Sequence, residues 1–202
     1  MDVFSPVSMT GLGVLFGLKH ACDADHLAAV STIASTHRTL RGAAQVGALW
    51  GAGHTLALLI AGGVVLMSGV MIPAQVTAML EFGVALMLIV LGSYTLWQLR
   101  HGALALTQGA HHHWYENREQ SIAEQGGRYH ARSFAVGVVH GMAGSGALLL
   151  LVVAEIPSGL WGLWYILAFG LGSSGGMIAM SALVSIPAAV ATERYTQVHL
   201  AV

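Results

Sequence analysis

The sequence predicts an all-α fold, a polytopic transmembrane helical bundle, and three observations predict it. Hydrophobic residues make up 55% of the 202-residue chain and charged residues only 8%, against about a quarter charged in an ordinary soluble domain. Five charge-poor stretches, near residues 8–34, 43–67, 76–99, 133–154 and 160–190, each reach the roughly 20 residues that a helix needs to cross the hydrocarbon core. The 26 glycines suit helices that pack closely without a hydrophobic drive between them. The same composition excludes other classes. A formal charge of −1 leaves no basic face for a nucleic-acid backbone, and a single cysteine, Cys22, excludes a disulfide framework.

The first span keeps its place in the mature chain, because MDVFSPVSM has no positive n-region and the segment after it carries Lys, His and Asp. The second and third spans are separated by an uncharged turn around Pro73, and the fourth and fifth by Glu155 to Gly159. Seven of the eight basic residues fall at Arg38 and Arg41, at Arg100, Arg118, Arg128 and Arg132, and at Arg194. With five spans these are alternate loops on one side, cytoplasmic by the positive-inside rule, so the N-terminus is expected outside a plasma (inner) membrane.

Short strings recur along the chain. Gly17-Leu-Lys-His20 returns as Gly137-Val-Val-His140 at an offset of 120, and Trp50-Gly-Ala-Gly53-His54 answers Phe169-Gly-Leu-Gly172-Ser173 at 119. A unit with an odd number of spans re-enters the membrane from the opposite side, which gives the 3+3 inverted repeat common in secondary transporters. On this reading residues 1–99 form the first repeat, 100–131 a His-containing cytoplasmic loop, and 132–202 a second repeat without its third helix; the offset places a sixth span at about 196–219.

The first span carries the chemistry. His20-Ala-Cys-Asp23-Ala-Asp25-His26 lies near its middle, where Lys19, Asp23 and Asp25 each cost about 2.5–3.5 kcal/mol on an insertion scale. Such a helix lines a protein interior or a wet cavity, and ionisable groups there mark ion paths. At about 100° per residue His20, Asp23 and His26 share a face, while Asp25 points roughly 140° from His20. Asp25 joins the same ion only if the helix unwinds there. Imidazole nitrogen suits nickel, cobalt, zinc and copper, and carboxylate shifts preference toward harder ions, so a divalent transition metal is the natural guest. The competing structural reading is a Lys19–Asp23 ion pair with hydrogen-bonded core histidines; it leaves Asp25 without a role.

His54, between Gly51 and Gly53 in the second span, is the first candidate for a further ligand. His140 is the repeat-mate of His20 but has lost the acidic neighbours, and reads as packing or a weaker relay. Glu81 is a mouth residue or a partner for another helix, and Cys22 is a thiolate candidate or an inert small hydrophobe. His111, His112 and His113 in the loop are candidates for metal buffering.

Lys19-His20-Ala-Cys-Asp23-Ala-Asp25-His26-Leu27 resembles the R-H-A-x-D-A-D-H-I motif of the nickel/cobalt transporter family, and Gly51-Ala-Gly53-His54-Thr55 resembles that family's L-G-H-S-T/S motif. The likeness is strong over the first two spans and loose beyond them. It implies a role in nickel or cobalt transport for His20, Asp25, His26 and His54. The chain departs where longer members carry L-G-x-D-T-A-T-E and a later acidic motif: His140-Gly-Met-Ala-Gly-Ser-Gly146 and Gly170 to Met177 stand there without charge. It is more similar to the short, urease-accessory-like members, which lack an extra N-terminal helix.

The expectation is therefore a permease for nickel or cobalt, with the ion as cargo and no bound cofactor, working as uptake driven by membrane potential. Efflux by proton exchange is one alternative, and an accessory protein that hands metal to metalloenzyme maturation partners is another. No phosphate loop and no H-E-x-x-H pattern is present, so the chain is not read as an enzyme. Association into a homo-oligomer is left open.

Overall fold

A computed structural model describes residues 5–34, 39–69, 73–107, 130–142, 153, 156 and 158–200, and every described element is helical. The helices are α1 (Pro6–His20), α2 (Ala24–Ala34), α3 (Leu40–Ser68), α4 (Ala74–Thr107), α5 (130–141) and α6 (Gly159–Leu200). Among the described residues, three stretches are long and apolar enough to cross a membrane: Leu40–Ser68, Ala74–Trp97 and Gly159–Pro187.

The local sequence accounts for the helix ends. Ser5 caps α1, its hydroxyl accepting from Ser8 N–H, and Pro6 takes the first helical position, where its missing N–H costs nothing. Thr39 caps α3 through Gly42 N–H. The other end of α3 stops at Gly69, with φ of 65°, whose N–H bonds Val65 C=O. That left-handed position favours glycine. Pro73 then starts α4, its carbonyl receiving Val76 and Thr77 N–H.

The first expected span is two helices. Between α1 and α2 the bonds tighten to Cys22 N–H→Lys19 C=O and Asp23 N–H→His20 C=O, and the helix resumes with Leu27 N–H→Asp23 C=O. A bilayer tolerates such a break only where protein covers it, and Ala21 is completely buried while Ser173 Oγ donates to Gly17 C=O from α6.

The helices pack through glycine, and the contacts come in matched pairs. A Cβ on Gly53 would lie 2.2 Å from Phe134 O, and one on Gly172 would lie 2.2 Å from Val14 O. Likewise Gly17 faces Phe169 O and Gly137 faces Trp50 O, each at 2.1 Å, and Gly51 meets Ser174 as Gly170 meets Thr55. Every pair maps onto its mate by the 119–120 offset read from the sequence. Thr55 and Ser174, themselves 119 apart, share a hydrogen bond of 3.3 Å where the two copies meet. The register of these contacts runs the same way for α1 with α6 and for α3 with α5, and opposite ways for α3 with α6. The second copy is therefore inverted relative to the first. α5 also ends one residue beyond His140, as α1 ends at His20.

These backbone approaches leave no room for a methyl group. Gly172→Ala is expected to destabilise the bundle by about 1–3 kcal/mol, the usual cost of overpacking. Gly83→Ala on α4, with nothing within 4 Å of its Cβ position, serves as the reference; thermal unfolding in detergent compares the two.

Two apolar clusters lie one beyond the other along the bundle. One contains Ala29, Val30, Ile33, Val46, Trp50 and Met177, the other Met9, Leu58, Tyr165, Ile166 and Phe169. α4 lies at the periphery, with Val84 and Leu91 buried and most of its length exposed. Its far end meets α5, where the Arg132 guanidinium lies 4.9 Å over the Tyr94 ring.

Two sequence expectations are adjusted. Residues 196–200, where a sixth span was expected to begin, continue α6, which passes through Pro187 without ending. A transmembrane helix accepts an internal proline because neighbouring groups re-satisfy the freed carbonyl. Residues 100–107, assigned to the loop, extend α4, and 130–131 begin α5; residues 108–129, with His111, His112 and His113, lie outside the described residues.

Candidate metal centre

The break in the first span sets the geometry. Its turn leaves His20 as the last residue of α1 and brings Asp25 and His26 into the first turn of α2. His20 Nδ1–H donates to Asp23 Oδ2 at 2.9 Å. Asp25 takes three donors: Oδ1 receives His26 N–H at 2.9 Å and His26 Nδ1–H at 3.1 Å, and Oδ2 receives His140 Nε2–H at 2.9 Å. One carboxylate thus joins the first half of the chain to α5 of the second.

Four imidazoles converge behind these acids. His20, His26, His54 and His140 are 6%, 0%, 1% and 2% exposed, whereas the side chains of Asp23 and Asp25 are 45% and 37% exposed. His26 is central, with ring centroids 4.3 Å from His20 and 4.2 Å from His140, and His54 lies 5.1 Å from His20 and 5.4 Å from His26. Trp50 stacks on His26 at 5.5 Å and Phe169 faces His20 at 5.4 Å. Those two aromatics are repeat-mates and belong one to each apolar cluster. The imidazoles therefore lie between two apolar layers, and along α3 His54 stands between Trp50 and Leu58, well inside the helix.

The donor set suits a cation. The groups His20, His26, His54 and Asp25, His26, His140 each place three ligand atoms within 4.8 Å of one another. Among the described residues, His26 Nε2, both nitrogens of His54 and His140 Nδ1 are buried with no hydrogen-bond partner. A buried polar atom left so costs about 1–3 kcal/mol, and several converging nitrogens match what a borderline transition metal takes as ligands. The carboxylates fix which nitrogen each ring offers. With Nδ1–H of His26 held by Asp25, its lone pair is on Nε2, the arrangement that outer carboxylates impose on metal-ligating histidines.

Most of the residues singled out in the sequence meet here. His20, Asp23, Asp25, His26 and His54 come together, and the break supplies the unwinding that Asp25 required. His140 belongs to the cluster and bonds Asp25, which places it beyond the packing role that its lost acidic neighbours suggested. Asp23 bonds His20, and Lys19 is exposed, so the Lys19–Asp23 pairing is not formed. Cys22 is exposed with its thiol donating to Leu18 C=O at 3.6 Å, and Glu81 is exposed on α4; neither joins a candidate metal group. Trp50 and Phe169 were read only as part of matching strings. Their common offset, and the helical spacing of Trp50 from His54, were the signals that they flank the cluster.

Comparison with known proteins agrees with a membrane protein. Residues 27–202 match the family described as cytochrome C biogenesis protein transmembrane region. That match includes His54 and His140 and begins just after His26. The chain is also 33% identical over 187 residues to the urease accessory protein UreH of Bacillus sp. (strain TB-90), covering 93% of this chain and 80% of the relative. No solved structure matches.

Proposed function

The chain belongs to the family described as cytochrome C biogenesis protein transmembrane region and is a relative of the urease accessory protein UreH, and from that premise we propose that it is a permease for nickel or cobalt ions. The observation that carries this reading is the buried triad His20, His26 and His54, with ligand atoms within 4.8 Å of one another, held mid-span between two apolar layers. A site there is of use to an ion that crosses. An ion held only for structure needs no inverted pair of helix sets around it.

The half-exposed carboxylates of Asp23 and Asp25 meet the hydrated cation, and the imidazoles behind them replace its water. A doubly charged ion moving inward gains about 4.6 kcal/mol per 100 mV, at about 2.3 per charge. That supports roughly thousandfold accumulation, so uptake in a plasma membrane needs no other motor. The arginine-bearing helix ends, including the paired ends of α4 and α5, face the cytoplasm in this reading and the N-terminus faces outside. The name of the relative favours a destination as well: the imported metal serves maturation of a metalloenzyme.

The test is accumulation of radiolabelled nickel and cobalt in cells expressing the chain or His20→Ala at matched membrane levels. Raised accumulation that the variant loses supports uptake through the triad. Lowered accumulation turns the reading to efflux, and equal accumulation with and without the chain removes it. Deletion of residues 108–131 separates permeation, which should survive, from delivery to a maturation partner, which should not.

A further inference from the structure

We infer that the centre holds two overlapping metal stations which share His26, so that one ion at a time is bound and is handed from one station to the other. The inference rests on the metal-permease reading above and adds a second station, formed by Asp25, His26 and His140, to the triad.

The geometry separates the two. His140 and His20 flank His26 at 4.2 and 4.3 Å, while His54 is 6.5 Å from His140. An ion on the triad is therefore displaced from His140, and an ion on Asp25 and His140 is displaced from His54. The nitrogens nearest Asp25 are His26 Nδ1 and His140 Nε2, both now bonded to its carboxylate. The nitrogen that His26 has left over is Nε2, buried without a partner.

A neutral imidazole has one lone pair. With its proton on Nδ1, against Asp25, His26 offers Nε2 to the triad; with the proton on Nε2 it offers Nδ1 to the second station. The exchange moves one proton between the two nitrogens of the His26 ring, and His140 likewise moves its proton from Nε2 to the unpartnered Nδ1; both rings stay neutral. His26 cannot serve both stations at once, which makes them exclusive.

The chemistry gives them an order. Asp25 is 37% exposed, so an ion there keeps water and sits in a mixed oxygen and nitrogen shell that takes harder cations as well. The triad is buried and all nitrogen, which favours nickel, cobalt, copper or zinc. Entry through the mixed station and transfer to the triad filters ions in two steps. Because His140 stands on α5, the second station also spans both inverted copies, and a shift of one copy against the other alters it while leaving the triad, built wholly from α1, α2 and α3, in place.

The test is nickel binding by the purified full chain in lipid nanodiscs, read by calorimetric stoichiometry and nickel-edge X-ray absorption. The wild type should bind one nickel per chain with three imidazoles. His54→Ala should still bind one nickel, with two imidazoles and added oxygen ligands, and His54→Ala with His140→Ala should bind none. Two nickel ions per wild-type chain would overturn the exclusion. Loss of all binding in both His54→Ala and His54→Gln, with helical content and monodispersity retained, would overturn the second station. Absence of nickel binding by the wild type would instead defeat the permease reading on which the inference stands.

Discussion

His26→Ala is expected to abolish nickel binding and transport while the chain still inserts. His26 is the one residue common to both candidate metal groups, so without it neither group keeps three ligands among the described residues. Loss of an outer-shell partner typically costs about 10–100-fold in metal affinity, and loss of the shared ligand should exceed that. The ring is completely buried and stacked on Trp50, so its removal also leaves a hole. Calorimetry on the purified variant, with membrane levels and thermal unfolding measured alongside, separates lost ligation from lost folding. Nickel affinity within the outer-shell range would mean that His26 is not a ligand.

Asp25→Asn is expected to weaken nickel binding by about 10–100-fold, the cost of losing an outer-shell carboxylate, with little change in the amount of folded protein. The shape is kept, but an amide presents one accepting oxygen and one donating NH2 group where the carboxylate presents two acceptors. Either His26 or His140 then loses its acceptor, and the tautomer that turns His26 Nε2 to the triad is no longer enforced. Asp25→Glu keeps two accepting oxygens and should recover part of the affinity. Equal affinity in wild type and Asp25→Asn would remove Asp25 from the centre.

Spans and centre differed in how far they were legible. Of the five apolar stretches that composition suggests, three stand among the described residues as single helices long enough to span, and the first-span cluster announces itself because Lys19, Asp23 and Asp25 are expensive in lipid. The inverted repeat was readable for a physical reason: Gly17, Gly53, Gly137 and Gly172 stand where helix backbones touch, so the spacing of glycines records the crossing points. The turn at residues 21–23 was legible only as a condition, since a straight helix cannot bring Asp25 to the face of His20. His140 was legible only as the repeat-mate of His20, read as packing or a weaker relay, and its bond to Asp25 was not foreseen. Its place beside Asp25 depends on how α5 crosses α3 at Gly137 and Trp50, a tertiary fact to which the loss of acidic neighbours gives no clue. Nor was it legible that α6 continues from residue 190 to Leu200, because the repeat offset suggested a separate span beginning there.

The acids of the centre belong to one copy of the repeat alone: positions equivalent to Asp23 and Asp25 are Ala143 and Ser145, while both copies keep a histidine, His20 and His140. Two carboxylates can offset a doubly charged ion, so on the permease reading a loaded centre would be closer to electroneutral than an empty one. On that reading a rearrangement of the loaded protein would move almost no net charge through the membrane field, and the return of the empty protein would move most of it. Membrane voltage would act on the reset of the cycle more than on the passage of the metal, and the two directions of a formally two-fold machine would not be equivalent.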